Sequence, residues 1–489
     1  MQITSSVIIS KIISLLFILS TVLLLGNIAL AQPAEKTIAG NWLGTLEINT
    51  IKLRLGLKIV AKEDGSFTAT FDSIDQGAKD LPIDKITYQE GAVNFEAKQF
   101  GITFTGKLEN GDIVGEFKQG QGKFPLTFKR QDAPITLNRP QHPQKPYPYD
   151  EEEVSYENKK DGIKLAGTLS LPKASKAPFA AVILITGSGP QNRDEEIFGH
   201  KPFLVLSDYL TRQGIAVLRV DDRGVGGSSK NVPTETSENY AEDVLAGVEF
   251  LKSHKSINPK QIGLIGHSEG GLIAPMVATK STDIAFIVLL AGPGLTGGEI
   301  IKLQGALIAK AGGASDQAIA SSQELQEISF QILKAEKDDV IAKKKLVEES
   351  KKFYAKFSKE EKQALGIPAD ITDEQIESSL GRFVSSWFRF FLEYDPRPTL
   401  KNVKCPVLAV NGEKDLQVPY QENLSEIEKA LKEAKNKDFQ IKSFPNLNHL
   451  FQTAKTGSPT EYGSIEETFA PVALKEVGDW ILARVSVNK

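Results

Sequence analysis

Gly266-His267-Ser268-Glu269-Gly270-Gly271 sets a serine among glycines, directly after the apolar run Gln261 to Ile265 and ahead of Leu272 to Ala278, a plausible helix. Strand, tight turn and helix in that order hold a serine hydroxyl out where a substrate can reach it, and the glycines remove side chains that would clash in so sharp a turn. The chemistry this suits is nucleophilic attack on an acyl carbon. A serine hydroxyl is a poor nucleophile at neutral pH, so it needs an imidazole within hydrogen-bonding reach and a carboxylate to fix and charge-balance that imidazole. Pro275 is a local tension, since inside a helix it removes the bond to the Gly271 carbonyl and should bend the axis.

Five histidines narrow the choice of base. His142 lies in a proline-rich stretch, His254 in a polar helix-end context, and His200 in a segment with no strand end to fix it. His267 neighbours the serine but should point away from it. His449 follows the last apolar run in Phe444-Pro445-Asn446-Leu447-Asn448-His449, and it is the expected base. For the acid, Asp415 ends Asn411-Gly412-Glu413-Lys414-Asp415 after the penultimate run, with Glu413 as the alternative. A developing oxyanion needs preorganised donors, each worth about 3 kcal/mol. One should be the backbone N–H of Glu269. The second should come from Gly187-Ser188-Gly189-Pro190, with the Ser188 N–H expected and Gly189 as the alternative.

These residues need a scaffold, and apolar strand-like runs supply one: Ile163 to Leu171, Ala180 to Ile185, Ile215 to Val220, Gln261 to Ile265, Ala285 to Leu290, Val407 to Asn411 and Phe439 to Phe444, with Val154 to Tyr156 as a possible edge. Amphipathic stretches alternate with them, the pattern of a mostly parallel sheet with helices on both faces. From about 296 to 400 the alternation gives way to Lys/Glu-rich sequence with apolar residues at helical spacing, such as Leu325, Ile328 and Ile332. That predicts an inserted helical cap. The aromatic group Trp387, Phe388, Phe390 and Phe391 at its return could line an acyl pocket or simply fill the core.

Residues 37–130 follow another rule. Leu53, Leu55, Leu57 and Ile59, then Phe67, Ala69 and Phe71, alternate with period two, and Asp64-Gly65, Glu90-Gly91 and Asn110-Gly111 supply turns. This predicts a small all-β barrel or sandwich with a structural or docking role, although such a barrel could also hold an apolar ligand. Gly40-Asn41-Trp42 resembles the opening of lipocalin-like barrels. Prolines 134, 140, 143, 146 and 148 make residues 131–150 an extended spacer, leaving 151–489 as the second domain.

At 489 residues the chain has room for more than one core. Its 58 basic and 62 acidic side chains leave no positive excess for a phosphate backbone, which argues against nucleic acid. Residues 12–31 form an apolar run ending in Ala29-Leu30-Ala31, which predicts a signal peptide (1–31) cleaved after Ala31 and a periplasmic or secreted protein. Uncleaved, the run would be a membrane anchor. Cys405 is the single cysteine, so no intrachain disulfide can form and stability must come from packing.

Beyond the nucleophile sequence, ITGSGPQNRDE (185–195), VDDRGVGGSS (220–229) and CPVLAVNGEKDLQVP (405–419) resemble the α/β-hydrolase superfamily, and within it bacterial esterases and serine aminopeptidase-like hydrolases. The resemblance runs from about 151 to 485 and implies an α/β-hydrolase fold, acyl transfer through a covalent acyl-enzyme, no metal or cofactor, and the roles assigned above. These motifs are much less specific for substrate; a small-molecule carboxylic ester is the expected one, with aminopeptidase or amidase activity as the rival, and a non-catalytic protein that binds ligand in the β domain is a third reading. VDDRG resembles a loop of prolyl iminopeptidases, though Arg223 paired to a nearby carboxylate would make it a packing feature. His200 stands where relatives tend to carry asparagine. Oligomeric state is not legible in the sequence.

Overall fold

The computed structural model describes residues 37–487 apart from 49–50, 121, 134–136, 174, 231–233, 359–361 and 363–371. The expected signal peptide and Pro134 lie outside the described residues. Among those residues no helix is long and apolar enough to cross a membrane.

Among the described residues nine antiparallel strands, β1 (Gly40–Ile48), β2 (Ile51–Ala61), β3 (Phe67–Ser73), β4 (Ala78–Pro82), β5 (Lys85–Gln89), β6 (Ala92–Ala97), β7 (Ile102–Glu109), β8 (Asp112–Gln119) and β9 (Gly122–Gln131), form one sheet in the order β4-β3-β2-β1-β9-β8-β7-β6-β5. The first strand pairs with the last at Gly44↔Phe128, so the middle of the sheet is closed by its two chain ends. The sheet curls until β3 and β5 approach, with the rings of Phe67 and Tyr88 6.3 Å apart. It is therefore one curled sheet and not a sandwich. Glu90, Asn110 and the glycines after them adopt positive φ at the hairpin tips, as the turn residues require. Period-two alternation sends Trp42, Leu57, Phe95, Phe104, Phe117 and Phe128 inward, and these side chains fill the interior. Phe95 stacks on Phe104 at 5.1 Å and Phe128 meets Phe104 edge-on at 5.5 Å.

The second sheet has eight strands in the order β10-β11-β13-β12-β14-β15-β16-β17. β10 (Tyr149–Asn158) and β11 (Ile163–Pro172) are antiparallel; β13 (Ala216–Val220), β12 (Phe179–Ile185), β14 (Ile257–His267), β15 (Ile284–Leu290), β16 (Val407–Gly412) and β17 (Phe439–Phe444) are mutually parallel. Every residue of β12 and β16 is buried, because helices cover both faces of the sheet. Helices α1 (Pro202–Arg212) and α11 (Pro471–Leu482) pack on one face; α2 (Ser237–Ser253), α3 (Glu269–Lys280) and α10 (Tyr420–Glu433) pack on the other. Helix α3 runs on through Pro275.

Between β15 and β16 the chain leaves the sheet for the cap, in which α4 (Gly297–Ala311), α5 (Asp316–Ala335), α6 (Asp339–Tyr354), α7 (Asp373–Leu380), α8 (Ser386–Glu393) and α9 (Pro396–Leu400) are described. The cap has a small core of its own built from Phe330, Leu333, Leu346, Phe388 and Leu392.

The two sheets meet at a polar joint. Arg139 donates to the carbonyls of Phe198, Gly463 and Ile465 at 2.8, 2.8 and 2.9 Å. Gly463 sits so close to the β domain that a Cβ there would lie 2.2 Å from the Asp75 carbonyl oxygen, and Asp75 is itself held by Arg54.

Candidate active site

Ser268 stands at φ +53°, ψ −117°, between the end of β14 and the start of α3. A non-glycine residue there is strained, and the surroundings hold it: the Ser268 N–H donates to the Leu290 carbonyl and the Gly271 N–H to the Ser268 carbonyl, each at 2.9 Å. The flanking glycines are required by close backbone approach. A Cβ on Gly266 would meet the Gly270 carbonyl oxygen at 2.0 Å, and one on Gly270 would meet the Ile185 carbonyl oxygen at 2.2 Å. The turn thus fits between β12 and α3 only without side chains on either flank.

Asp415 and His449 arrive on the loops after β16 and β17. Those loops are knit backbone to backbone, through Lys414 N–H to the Leu447 carbonyl (2.9 Å) and Glu413 N–H to the Phe444 carbonyl (2.9 Å). Asp415 Oδ2 accepts from His449 Nδ1 at 2.8 Å, while its Oδ1 accepts from the N–H groups of Gln417 and Val418 at 2.8 and 2.9 Å. Both side chains are buried. With Nδ1 donating to the carboxylate, Nε2 of His449 is the free basic nitrogen. Glu413, the alternative acid, is exposed and accepts from Ser443 instead.

Ser268 and His449 line the same cavity, about 700 Å³, together with Gly187, Ser188, Glu195, His267 and cap residues. Among the described residues no hydrogen bond joins the serine hydroxyl to His449; serine–base contacts of this kind often tighten only around substrate. Gly187 packs against the serine, since a Cβ on it would lie 3.3 Å from Ser268 Cβ, but its N–H is taken by Glu195 Oε1 at 2.7 Å. Ser188 lines this cavity, whereas Gly189, at φ +94°, lines only a neighbouring one. Glu269 opens helix α3, where a backbone N–H has no intrahelical partner.

Three features were not anticipated. His267, expected to turn away, lines the cavity and packs its ring 4.8 Å from that of His449. Its Nδ1 meets Glu195 Oε1 at 2.9 Å and its Nε2 meets the His449 carbonyl at 3.0 Å. A carbonyl only accepts, so Nε2 carries a proton; burial alone would depress the ring's pKa, but the Glu195 charge and these hydrogen bonds outweigh it and hold the pKa above the usual histidine value. Glu195 and His267 together therefore tie the Gly187 loop to the His449 loop. Next, Trp387 of the cap donates to Glu269 Oε1 at 2.8 Å, linking cap to nucleophile turn. Finally, His200 is buried between Thr468 Oγ1 (2.9 Å) and the Tyr462 carbonyl (3.0 Å), and desolvation lowers its pKa to about 4. It is a neutral packing residue that fixes the segment behind Asp415.

Of the cap aromatics, Trp387, Phe388 and Phe391 line the cavity, while Phe390 stacks on Tyr394 and packs toward the sheet core. Arg223 pairs with Asp161 (2.5 Å), Glu235 (2.7 Å) and Asp243. Among the described residues no cluster of three or more His, Cys, Asp or Glu side chains could hold a metal ion.

Two family profiles match parts of the chain: "Serine aminopeptidase, S33" over residues 202–314 and "Dienelactone hydrolase family" over 393–480. The first match contains Ser268 and the second contains Asp415 and His449. Esterase EstD of Thermotoga maritima is 26% identical over 385 residues, covering 78% of this chain and 79% of that protein. Similar solved structures include the esterase Pf2001 of Pyrococcus furiosus, with 16% identity, a TM-score of 0.42 and coverage of 73% of this chain and 100% of that one. Est1E of Butyrivibrio proteoclasticus with ferulic acid bound has 16% identity and a TM-score of 0.39, covering 68% of this chain and 98% of that one.

Proposed function

We propose that the chain is an α/β-hydrolase of the group of esterases and serine aminopeptidase-like hydrolases, and that it hydrolyses carboxylic esters with Ser268 as nucleophile, His449 as base and Asp415 as the orienting acid. The observation that carries this reading is the buried 2.8 Å Asp415–His449 pair opening onto the same cavity as a serine held at φ +53°.

Ser268 Oγ attacks the ester carbonyl as His449 Nε2 takes its proton, and Asp415 stabilises the imidazolium that forms. Negative charge on the former carbonyl oxygen is met by the N–H groups of Glu269 and Ser188. Collapse of the tetrahedral intermediate breaks the bond to the alcohol oxygen, which leaves with the proton from His449. Water then attacks the acyl-Ser268 ester with His449 again as base, releasing the carboxylic acid and the free serine. A cavity of about 700 Å³ walled by Ile300, Ile301, Phe388 and Phe391 suits a small or medium acyl group.

A fluorophosphonate probe tests the mechanism: it should label the wild-type protein and leave Ser268→Ala unlabelled, and equal labelling of both would remove Ser268 from its role. Aryl esters graded by chain length, assayed beside aminoacyl anilides, test the substrate class. Much faster cleavage of the anilides would replace ester by amide on the same three side chains.

The run 12–31 supports export to the periplasm or beyond, and the mass of the mature protein, expected to begin at Gln32, tests it.

A further inference from the structure

A second cavity, about 370 Å³, adjoins the first and shares Gly187, Ser188 and Trp387 with it. Its apolar wall includes Leu165, Ile183, Val244 and Ile273, with the aromatic side chains of Tyr156, Tyr240 and Trp387. Its charged residues divide into two groups. Asp221 is matched by Arg193 at 2.8 Å, and Asp243 by Arg223, which also takes Asp161 and Glu235. Asp222 and Glu269 have no cationic partner among the described residues. Asp222 accepts only from the Thr186 hydroxyl (2.7 Å) and the Gln191 N–H (2.9 Å). Glu269 is 2% exposed; Ser237 and Trp387 both donate to its Oε1, and the Ser188 side chain also favours its charged form.

A carboxylate withdrawn from water without a counter-charge is costly, and a site that holds the buried Glu269 beside the half-buried Asp222 lacks either protons or a cation. Burial raises both carboxyls, Asp222 to about 7, with the charges of Glu195 and Glu269 adding to the Asp222 shift. A hard metal cation would want six or more oxygen ligands, which this largely apolar wall does not provide. An alkylammonium fits both halves of the lining: three N–H donors for the carboxylate oxygens, and a chain to bury against aliphatic and aromatic faces that also attract positive charge.

We propose that this cavity takes a primary ammonium group on a short apolar chain, so that the esters hydrolysed best carry such a group. The substrate half rests on the ester-hydrolase reading; the binding half does not.

Calorimetric titration of n-butylammonium into the full chain carrying Ser268→Ala, with 1-butanol as the uncharged comparison, tests the binding. At pH 8.5 the ammonium should bind at least about tenfold tighter than the alcohol, the scale of one well-placed charge contact in a desolvated site. At pH 6 the preference should shrink, because the cation must then displace a proton, and heats near pH 7 should depend on the buffer that receives it. Asp222→Asn and Glu269→Gln should each reduce the ammonium-to-butanol ratio, with the wild-type pH dependence standing as the readout if either variant folds poorly. Equal affinity for both compounds at both pH values would mean a water-filled cavity and overturn the proposal. Displacement of the ammonium by potassium at equal concentration would do the same.

For the substrate half, kcat/KM for phenyl 6-aminohexanoate should exceed that for phenyl heptanoate at pH 8.5. If the probe labels Ser268 and both esters turn over equally, the ammonium site alone fails. If butylammonium binds but nothing labels Ser268, the hydrolase reading alone fails.

Discussion

The two sheets are made of similar apolar strands and use buried space in opposite ways. Inside the curled sheet the buried volume is taken up by Trp42 and a set of phenylalanines; of its buried acids, Asp75 lies at the joint with the second domain and Asp72 pairs with Lys58. In the eight-stranded sheet, apolar residues fill both faces, yet Thr186, Glu195, His267, Glu269, Asp415 and His449 are buried at or just beyond the strand ends. Apolar interiors are the default of folding; buried polar groups need a reason, and here they surround two cavities. The first sheet spends its burial on stability, the second on holding charge in place.

Substitutions in the two sheets put that contrast to the test. Ser268→Ala should cut kcat by about a millionfold with little change in melting temperature, since it removes the proposed nucleophile and little packing. Asp415→Asn should lower kcat by about ten-thousandfold, because an amide cannot hold the Nδ1–H tautomer of His449 or balance its charge. Phe104→Ala, deep in the curled sheet, should instead cost about 3 to 5 kcal/mol of stability and leave kcat per folded molecule unchanged. A denaturant titration beside an active-site titration separates the two outcomes. If Phe104→Ala lowered kcat in folded protein, the division of labour between the sheets would be wrong.

The joint between the sheets gives a smaller test. Arg139→Ala leaves three inward-facing carbonyls without their donor, which should cost about 1 to 3 kcal/mol. The segment it releases carries Tyr462, whose hydroxyl accepts from Gln417 beside Asp415, so kcat should also fall modestly. A stability loss with kcat untouched would make the joint purely structural.

How much of this was legible follows from the range over which each feature is encoded. The strands of the second sheet are continuous apolar runs because both faces are covered, and such runs are visible locally; so is a serine in a glycine turn. Asp415 and His449 could be placed because each follows a strand within a few residues. Contacts between distant loops could not. Glu195 meets His267 across 72 positions, His267 meets the carbonyl of His449 across 182, and Trp387 reaches Glu269 across 118. No periodicity marks such pairs, since each side chain satisfies its own loop's pattern while its partner is set by the packing of the whole domain. His267 was the clearest case: alternation along β14 turned it from the serine, but the His449 loop folds back to meet it there.

His267 also supplies the finest test of the comparison, because its effect is on a charge and not on a contact. The titratable groups facing its ring are Glu195, Asp415 and His449. With its pKa held up by Glu195, its ring offsets the Glu195 charge next to the proposed base. Replacing it by glutamine leaves the Glu195 carboxylate unbalanced beside His449, which favours the protonated, inactive form of the base. The acid limb of the kcat/KM profile should therefore move to higher pH, by about half to one unit for a charge near 5 Å in an environment of intermediate dielectric. Glu195→Gln added to His267→Gln removes the unbalanced charge and should bring the limb back toward its original position. A loss of rate that is equal at every pH, with the limb unmoved in both variants, would mean that His267 only fills space, and that the charge held at the strand ends extends no further than Asp415 and His449.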